Sequence, residues 1–387
     1  MAPHRPEQAP APLDPASPAM GELLRRSWRA GTLMLPSAPA PSPHTPSAPA
    51  PSPRTPSAPT ASQSGSLQVA LAGVGERFAA WRVIPPGGAA LIVRIPHVAP
   101  DELHQDLAHE IAALSLLPAG VGPDPVAVHD DPATSPLGRP FVVTTAIPGE
   151  VAAPTAWSAA HLRAHAAHLA RLHTVSAPGR GPVSTGPDPW SAITPGPQHL
   201  LPEVEGELRA AQAAHGAAIA EHRLAPLLEA ALEVVAATEA QFAQLDGFVL
   251  CHGDLCATNI LWDGADPAGG PPAVQYIDFE WAQGDDPARD LAILGGAVHG
   301  GPWYVPLTDE QVNAFVDAYV RARGELGAVP DSVADTASLR DRMRAWTAYE
   351  RSAMLVHVAS RAATSAAHRR VLPALRGTLA VTLGVDV

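Results

Sequence analysis

The distribution of proline is the feature that most constrains how this chain can fold. Sixteen of the 44 prolines lie in the first 60 residues, where a decapeptide beginning at Pro36 is repeated, with one change, from Pro46. Proline fixes φ and lacks a backbone N–H, so a segment this rich in proline cannot join a sheet or continue a helix. We therefore predict that residues 1–66 form a disordered Pro/Ala/Ser-rich tail.

One segment inside this predicted tail has a different character. Between Gly21 and Leu35, apolar residues such as Leu24 and Trp28 are interspersed with arginines, a pattern compatible with a short amphipathic helix. Such a helix could dock on a protein or membrane surface. The simpler interpretation is a transient helix or a continuation of the low-complexity tail, and the sequence leaves these alternatives open.

Residues 67–149 alternate short apolar runs with turns rich in glycine and proline, which predicts an antiparallel sheet. A segment opening at Pro100 has apolar residues three or four apart, which predicts one helix that ends before Pro118. We expect this region to form a small lobe. Its predicted strands are Leu67–Ala72, Phe78–Ile84, Ala90–Ile95, Pro125–Val128 and Pro140–Ala146.

Residues 150–387 carry mainly helical patterns. The periodicity predicts a helix over Ser158–His173 and a longer one whose apolar stripe includes Leu228 and Phe242. Short strands interrupt the helices at Phe248–Cys251, Ile260–Trp262 and Val274–Ile277. The predicted fold class is therefore α+β and bilobal, with a small antiparallel-sheet N-lobe and a mainly helical C-lobe.

Composition excludes several classes of function. Every one of the 25 basic residues is arginine, so the lysine of a P-loop and the Schiff-base lysine of pyridoxal enzymes are both missing. A net charge of -13 argues against a general nucleic-acid binder and favours small or cationic partners. The two cysteines offer no disulfide framework, and no apolar run is long enough to span a membrane, so we expect a soluble, cytoplasmic protein.

The run from Cys251 to Leu261 carries the most chemistry. In His252-Gly253-Asp254 an aspartate follows a predicted strand, Asn259 comes five residues later, and Asp278 follows the next strand pair. Phosphoryl transfer needs a carboxylate that accepts the proton of a hydroxyl nucleophile, and oxygen ligands that hold Mg²⁺ on the phosphates. Asp254 suits the first task, Asn259 and Asp278 suit the second, and His252 is expected to brace the loop.

These motifs, together with the later Gly284-Asp285-Asp286-Pro287 and Asp290-Leu291-Ala292, resemble the aminoglycoside phosphotransferase and choline kinase family, which has a protein-kinase-like fold. The resemblance implies ATP or GTP as phosphoryl donor and Mg²⁺ as cofactor. It also implies a structural role for Asp290, which would hydrogen-bond back to the catalytic loop. Because Asp286 follows so soon after Asp278, there is no room for a peptide-binding activation segment, and a small-molecule hydroxyl is the expected acceptor.

The same resemblance assigns nucleotide-binding residues in the first lobe. Arg94 on the third strand and Glu110 on the following helix occupy the places of the basic and acidic residues that position the phosphates. Gly73 and Gly75 would belong to the phosphate-covering loop, although the full glycine pattern is lacking and a simple hairpin turn is an alternative. Adenine would lie against the segment from Thr144 through Ile147, with Thr145 and Ile147 as contacts.

The acceptor pocket is expected among aromatic and acidic residues that follow the metal aspartate. Aromatic faces attract ammonium groups, so a cationic acceptor would fit such a pocket, whereas ordinary core packing is the alternative for these rings. The candidate acceptor residues are Glu280, Trp281, Asp285, Trp303 and Tyr349. Tyr304, Trp346, Asp286 and Glu350 are further aromatic and acidic residues of this region.

Two other clusters raise the question of a transition-metal site. Cys251, His252 and Cys256 lie close in sequence but lack the usual zinc spacing, so a buried and a loop cysteine are the simpler interpretation. Histidines at three- and four-residue spacing on one predicted helix could also ligate a metal, although a solvated face is expected, with the last packing between helices. They are His161, His165, His168 and His173.

The sequence thus predicts an ATP- or GTP-dependent kinase that phosphorylates a hydroxyl of a small molecule. A competing hypothesis is a non-catalytic, nucleotide-binding module of the same fold that acts through a partner, with the Pro-rich tail as a candidate binding segment. The joint presence of Asp254, Asn259 and Asp278 favours the enzyme, because a binding module has no chemical need for all three.

Overall fold

A computed structural model describes residues 13–36, 65–99, 103, 105–264 and 272–386 of the 387-residue chain. The chain divides into two compact units. The first runs to Ile111 and includes Asp124–Ala146, and the second comprises Ala112–Pro123 and Ile147 onwards. The decapeptide repeats after Pro36 lie outside the described residues, as do the first twelve residues.

The first unit is built on a five-stranded antiparallel sheet with the strand order β1-β2-β3-β5-β4. The strands lie within two residues of the predicted runs, because apolar residues between glycine- and proline-rich turns mark the extent of each strand. Helix α2 (Leu107–Ser115) belongs to this unit as far as Ile111; residues 100–102, where the predicted helix opens, lie outside the described residues. The strands of the first unit are β1 Gln68–Val74, β2 Phe78–Ile84, β3 Leu91–Pro96, β4 Pro125–His129 and β5 Phe141–Thr145.

An additional helix, α1 (Pro18–Arg29), belongs to this first unit. Met20, Leu24 and Trp28 are at most 3% exposed and pack with the apolar face of the sheet in one hydrophobic cluster. The indole N–H of Trp81 on β2 donates to the carbonyl of Pro15 at 2.8 Å. The helix comes so close that a Cβ at Gly21 would lie 2.9 Å from the Trp81 ring.

The prediction of a disordered tail is therefore wrong for residues 13–36. Proline frequency concealed a helix whose single proline, Pro18, lies in its first turn, where an N–H is not needed. The amphipathic pattern of Gly21–Leu35 was the correct signal, and the surface on which the helix docks is the sheet of its own unit. Leu33 and Leu35, beyond the helix, are buried in the same cluster as Leu67, which precedes β1.

The second unit is mainly helical, and its helix α3 begins after Ser158, whose side chain caps the helix N-terminus. A core cluster packs α4, α5, α9 and α10 against one another. Among the described residues, no helix is long and apolar enough to cross a membrane. The helices are α3 Ala159–Leu172, α4 Leu201–Glu221, α5 Ala225–Ala243, α6 Pro287–Ile293, α7 Asp309–Leu326, α8 Asp331–Ala334, α9 Thr336–Arg361 and α10 Ala366–Leu383.

Short strands of the second unit form three small sheets, with the orders β11-β10-β6, β7-β9-β12-β8 and β13-β14. Together with the sheet of the first unit, they confirm the predicted α+β class of an antiparallel-sheet region followed by a helical region. These strands are β6 Glu150–Val151, β7 Ser176–Ala177, β8 Gly181–Pro182, β9 Phe248–Cys251, β10 Ile260–Asp263, β11 Ala273–Tyr276, β12 Gln283–Asp285, β13 Gly295–Gly296 and β14 Val305–Pro306.

Candidate active site

The loop that carries Asp254 leaves the end of β9, a fully buried strand paired with β12. Gly253 turns the chain with φ at +80°, a left-handed conformation that glycine adopts without strain. A Cβ at this position would lie 3.0 Å from the carbonyl carbon and the Cβ of Trp281, and closer still to the carbonyl oxygen. Only glycine fits where the loop passes the Trp281 backbone.

Asp290, in the first turn of α6, fixes the backbone of this loop through its carboxylate. Its Oδ2 accepts a hydrogen bond from the backbone N–H of His252 at 2.7 Å, and its Oδ1 accepts one from Gly253 at 2.9 Å. The Nε2 of His173 lies 3.1 Å from Oδ2. Burial alone would raise the pKa of Asp290, but the hydrogen bond and the charge of His173, with further help from the loop, hold it below its ordinary value.

His252 connects the loop to the end of β11. Its Nε2 donates to the carbonyl of Ile277 at 2.9 Å, which leaves Nδ1 to accept from the backbone N–H of Asp254 at 3.3 Å. This pattern requires the neutral tautomer with the proton on Nε2. Burial lowers the pKa of His252 and keeps the ring uncharged, so the side chain acts as a brace for the loop.

Asp254 and Asn259 contact each other directly. The Nδ2 of Asn259 donates to the carbonyl oxygen of Asp254 at 2.8 Å and to its carboxylate Oδ2 at 3.0 Å. Burial, followed by the nearby charges of Asp278 and Glu350, raises the pKa of Asp254 to about 7. A carboxyl group with a pKa near neutrality is suited to accept a proton.

Asp278 adopts a strained backbone conformation at the end of β11. Its φ is +70°, and Arg223 is the only other non-glycine residue with positive φ in the described part of the chain. A left-handed aspartate costs about 1–2 kcal/mol and persists where the surroundings impose it, commonly at a functional site. The backbone of the preceding Ile277 donates to the carbonyl of Asn259 at 3.0 Å, which ties the two segments together.

Asn259 and Asp278 have the donor atoms that a magnesium site needs. Both N–H groups of the Asn259 amide are engaged by Asp254, so the amide oxygen Oδ1 is the atom that remains for a cation. The Asp278 carboxylate is a hard oxygen ligand of the kind that Mg²⁺ prefers. The residues present therefore fit a divalent cation.

A buried ionic network, which sequence reasoning missed, supports the loop. Asp285 is fully buried, and its carboxylate pairs with Arg180 at 2.7 Å and with Arg289 at 3.1 Å. Arg289 also donates to Glu350 on α9 at 2.9 Å. The two arginines outweigh the effect of burial and lower the pKa of Asp285. The four-residue spacing of Asp285 and Arg289 on a helix start was the signal available in the sequence.

This network changes the interpretation of Asp285. The sequence assigned it to the acceptor pocket, but its charge is neutralised inside the protein and has no exposed surface to offer to a ligand. Asp286 is likewise buried, caps α6 through the N–H of Ala288 and pairs with Arg342 at 2.9 Å. Both aspartates therefore organise the fold around the loop.

The aromatic residues of the predicted pocket fall into two groups. Trp346 is fully buried and donates its indole N–H to Asp286 at 3.3 Å, and Tyr304 is 4% exposed, so core packing explains both rings. Trp281 and Tyr349 are partly exposed, as is Glu280. The backbone carbonyl of Trp303 accepts a hydrogen bond from the N–H of Ala257, in the loop that carries Asp254, at 2.7 Å.

The possible transition-metal ligands are occupied by protein contacts. The Sγ of Cys251 donates to the carbonyl of Asp286, and burial raises the thiol pKa of both Cys251 and Cys256. Cys251 also clusters with His173 and Asp290. However, Asp290 is committed to the loop, and the other ring nitrogen of His173 lies 2.8 Å from the hydroxyl of Tyr319. These side chains hold the fold together.

The prediction of a solvated histidine face is wrong. His165 and His168 on α3 are buried, where they contact the Tyr276 hydroxyl at 2.9 Å and the Val121 carbonyl at 3.0 Å. Burial lowers the pKa of His165 to about 3 and that of His168 to about 4, so both rings are neutral. His161, nearer the surface, completes the capping box of α3.

In the first unit, Arg94 and Glu110, the two residues that the resemblance assigns to positioning the phosphates, form an ion pair with both side chains largely buried. The Arg94 guanidinium also lies 4.3 Å from the centroid of the Phe78 ring. Gly73 and Gly75 belong to the β1–β2 hairpin, and a Cβ at Gly73 would meet no other atom.

The remaining predicted nucleotide contacts lie near the end of β5. The hydroxyl of Thr145 accepts from the backbone N–H of Asp124 at 2.8 Å, within the first unit. Ile147 is the first residue of the next segment of the second unit.

Comparison with known proteins supplies independent findings. The family model described as the phosphotransferase enzyme family matches residues 69–348. No curated protein sequence matches the chain. The structure is similar to that of an ethanolamine kinase from Plasmodium vivax, with 13% identity, 82% of this chain and 81% of that chain covered, and a TM-score of 0.55.

Two further structures have related folds. One is an amicoumacin kinase in complex with AMP-PNP and Ca²⁺, with 14% identity, coverage of 82% of this chain and 88% of that chain, and a TM-score of 0.51. The other is the aminoglycoside phosphotransferase APH(4)-Ia, with 12% identity, coverage of 83% and 95%, and a TM-score of 0.50. At these identities the likeness establishes a shared fold.

Proposed function

This chain belongs to the phosphotransferase enzyme family, and we propose that it transfers the γ-phosphoryl group of ATP or GTP to a hydroxyl group of a small molecule. The observation that carries the proposal is the Asp254–Asn259 contact, on a loop whose backbone is held by the buried carboxylate of Asp290. Phosphoryl transfer depends on positioning and charge neutralisation, and this arrangement supplies a rigid support for both.

Asp254 is the proposed proton acceptor. Its raised pKa and its contact with the Asn259 amide suit a carboxylate that orients the acceptor hydroxyl and takes its proton during the transfer. His252 and Asp290 keep the loop backbone in place and do not touch the substrate in this mechanism. The close packing of Gly253 against the backbone of Trp281 serves the same end, since a small displacement of the base lowers the rate strongly.

Asn259 and Asp278 are the proposed ligands of Mg²⁺, which when bound would neutralise charge on the nucleotide phosphates. Their role in this chain is to present oxygen atoms from two strand ends that the protein has already fixed. The amicoumacin kinase of similar fold was solved with a nucleotide analogue and a divalent cation, which supports a comparable requirement here. We assign the Arg94–Glu110 pair of the first unit to nucleotide binding.

A cationic acceptor is the proposed substrate class within this function. Tyr349 stands among acidic side chains: burial raises the pKa of its hydroxyl, and Glu350, Glu203 and Glu207 raise it further. Arg180 and Arg289 neutralise part of this charge, yet the region keeps a surplus of carboxylates. Amines would be drawn to such a surface, and Glu280, Trp281 and Trp303 remain proposed contributors.

The experiment is a phosphoryl-transfer assay on the purified full chain. Release of nucleoside diphosphate is followed with Mg-ATP or Mg-GTP and a panel of aminoglycosides, macrolides, choline, ethanolamine and sugars. Asp254→Asn removes the proposed base while keeping the side-chain shape. Asp263→Asn is the matched control, because Asp263 is an exposed aspartate on the neighbouring β10.

We expect acceptor-dependent release that falls by at least about a hundredfold in Asp254→Asn and is unchanged in Asp263→Asn. Equal activity in the two variants would reject Asp254 as the base. Nucleotide binding, detected as a magnesium-dependent thermal shift, without transfer to any acceptor of the panel would instead favour the non-catalytic module.

A further inference from the structure

The two faces of the sheet in the first unit make different contacts. On one face, Trp81 and Val83 of β2 and Val93 of β3 are buried in the same cluster as Leu24 of α1. Successive side chains of a strand point to opposite faces of the sheet, so the residues that flank these three lie on the other face. We call it the inner face, and it carries Ala80, Arg82, Ile92, Arg94, Val142 and Thr144.

The strand register arranges the inner face in rows. One row contains Arg94 and its partner Ala80 on β2, and the neighbouring row contains Arg82, Ile92 and Thr144 as direct partners on β2, β3 and β5. The rows are two residues apart along each strand, which is about 7 Å. Arg94 is assigned to the nucleotide phosphates and Thr144 begins the segment expected to contact the base. The row of Arg82 therefore lies at the base end of the proposed nucleotide site.

The two arginines of the inner face differ in their pairing. Arg94 is ion-paired with Glu110, and its side chain is 11% exposed. Arg82 is exposed and makes no hydrogen bond or ion pair with any of the described residues. Exposed arginines are common on protein surfaces, so exposure alone assigns no role to Arg82. Its position does, because it lies in one row with Ile92 and Thr144 on the face that carries Arg94.

The chemistry of this row suits the flat face of a purine. Ile92 on β3 and Ala70 on β1 are the direct partners of Arg82 and place small apolar surfaces on both sides of it. A guanidinium is planar and weakly hydrated and stacks on aromatic rings, whereas a lysine ammonium is a compact, strongly hydrated charge. Stacking of this kind tolerates any base, because every base has a π-face.

We propose that Arg82 is a base-binding residue of the nucleotide site, with its guanidinium stacked on the purine ring while Arg94 contacts the phosphates. This inference rests on the proposed function, since it takes the nucleotide to bind on the inner face. It assigns recognition of the base to a residue of β2 outside the motifs of the sequence. A stacked guanidinium contacts the face of the ring and not its edge, so adenine and guanine nucleotides are both accepted.

Binding of Mg-ADP is measured by titration calorimetry on the purified full chain without acceptor. Arg82→Met keeps the aliphatic stem and removes the guanidinium, and Arg82→Lys keeps the positive charge without the plane. Arg26→Met is the matched control, because Arg26 is exposed on α1, which covers the opposite face of the sheet. Thermal unfolding of each variant checks that the fold is intact, as expected for replacements at exposed positions.

We expect Arg82→Met and Arg82→Lys each to weaken Mg-ADP binding by about five- to tenfold, because both lose the stacked plane, and Arg26→Met to bind as the unmodified chain does. Mg-GDP binding should weaken to the same extent. An unchanged affinity in Arg82→Met would overturn the proposal. An unchanged affinity in Arg82→Lys alone would make Arg82 a charge for the phosphates and overturn the stacking. If the unmodified chain bound neither nucleotide, the proposed function itself would fail.

Discussion

Replacement of Gly253 by alanine tests the geometry of the loop that carries Asp254. The left-handed φ of +80° costs alanine about 1–2 kcal/mol relative to glycine. The new Cβ would also lie 3.0 Å from two carbon atoms of Trp281 and closer to its carbonyl oxygen, so the loop or the Trp281 backbone must move. Such overpacking typically costs about 1–3 kcal/mol. We expect Gly253→Ala to lower the free energy of unfolding by about 2–5 kcal/mol.

The measurement is urea unfolding followed by circular dichroism, with Gly264→Ala as the matched control. Gly264 follows β10, and a Cβ there would meet no atom within 4 Å. Its replacement should change the free energy of unfolding by less than about 0.5 kcal/mol. If Gly253→Ala were as stable as Gly264→Ala, the close approach of the loop to Trp281 would be refuted as a constraint on this position.

Three further predictions concern the core and its pH dependence. Because burial lowers the pKa of His168 to about 4, the unfolded chain binds a proton below pH 6.5 that the folded chain does not, so stability falls with falling pH between about 6.5 and 4. His168→Gln removes the titrating ring but can still donate to the Val121 carbonyl. It should reduce the dependence of the free energy of unfolding on pH, measured by urea unfolding, by up to about 1.4 kcal/mol per pH unit. An unchanged pH dependence would contradict the burial of a neutral ring. Arg342→Met removes the ionic partner of the buried Asp286 and should lower the free energy of unfolding by about 3–5 kcal/mol. Arg344, whose side chain is 72% exposed, is the matched control, and Arg344→Met should leave the free energy of unfolding almost unchanged. Equal losses in the two variants would exclude the buried pair. Trp28→Ala should lower the free energy of unfolding by about 3–5 kcal/mol, because Trp28 is buried against the sheet. Met34 is 67% exposed, so Met34→Ala should lower it by less than about 0.5 kcal/mol. If Trp28→Ala were as stable as Met34→Ala, α1 would not pack on the sheet.

Local patterns were sufficient to predict the longer strands and several of the helices. The strand Phe248–Cys251 was predicted to the residue. The predicted helix Ser158–His173 differs from α3, Ala159–Leu172, by one residue at each end, and these two residues are its caps. These segments have strong periodicity and clear boundaries: a buried apolar run before a glycine turn, and a serine N-cap before an apolar stripe. The family resemblance rests on the same kind of local signal, the short motif around Asp254, and the family match confirms it.

Contacts between distant segments could not be predicted in this way. The composition of the N-terminal region suggested a tail, because nothing near Trp28 in sequence shows that Trp81 and the sheet will cover it. Asp285 was placed in the acceptor pocket because its partner Arg180 lies 105 positions earlier. The buried histidines of α3 were read as solvated for the same reason: Tyr276 and Val121 are far away along the chain.

The sequence by itself determined the longer strands, several of the helices, the family, and the polar residues of the loop that carries Asp254, since each of these depends on a short stretch of neighbouring residues. Only the tertiary structure decided which charged groups are exposed and which are neutralised in the interior. It also decided that α1 belongs to the first unit and covers the face of the sheet opposite to Arg82 and Arg94. The physical reason is that burial and pairing depend on atoms brought together from distant parts of the chain, and they set both the pKa of a group and the surface available to a ligand.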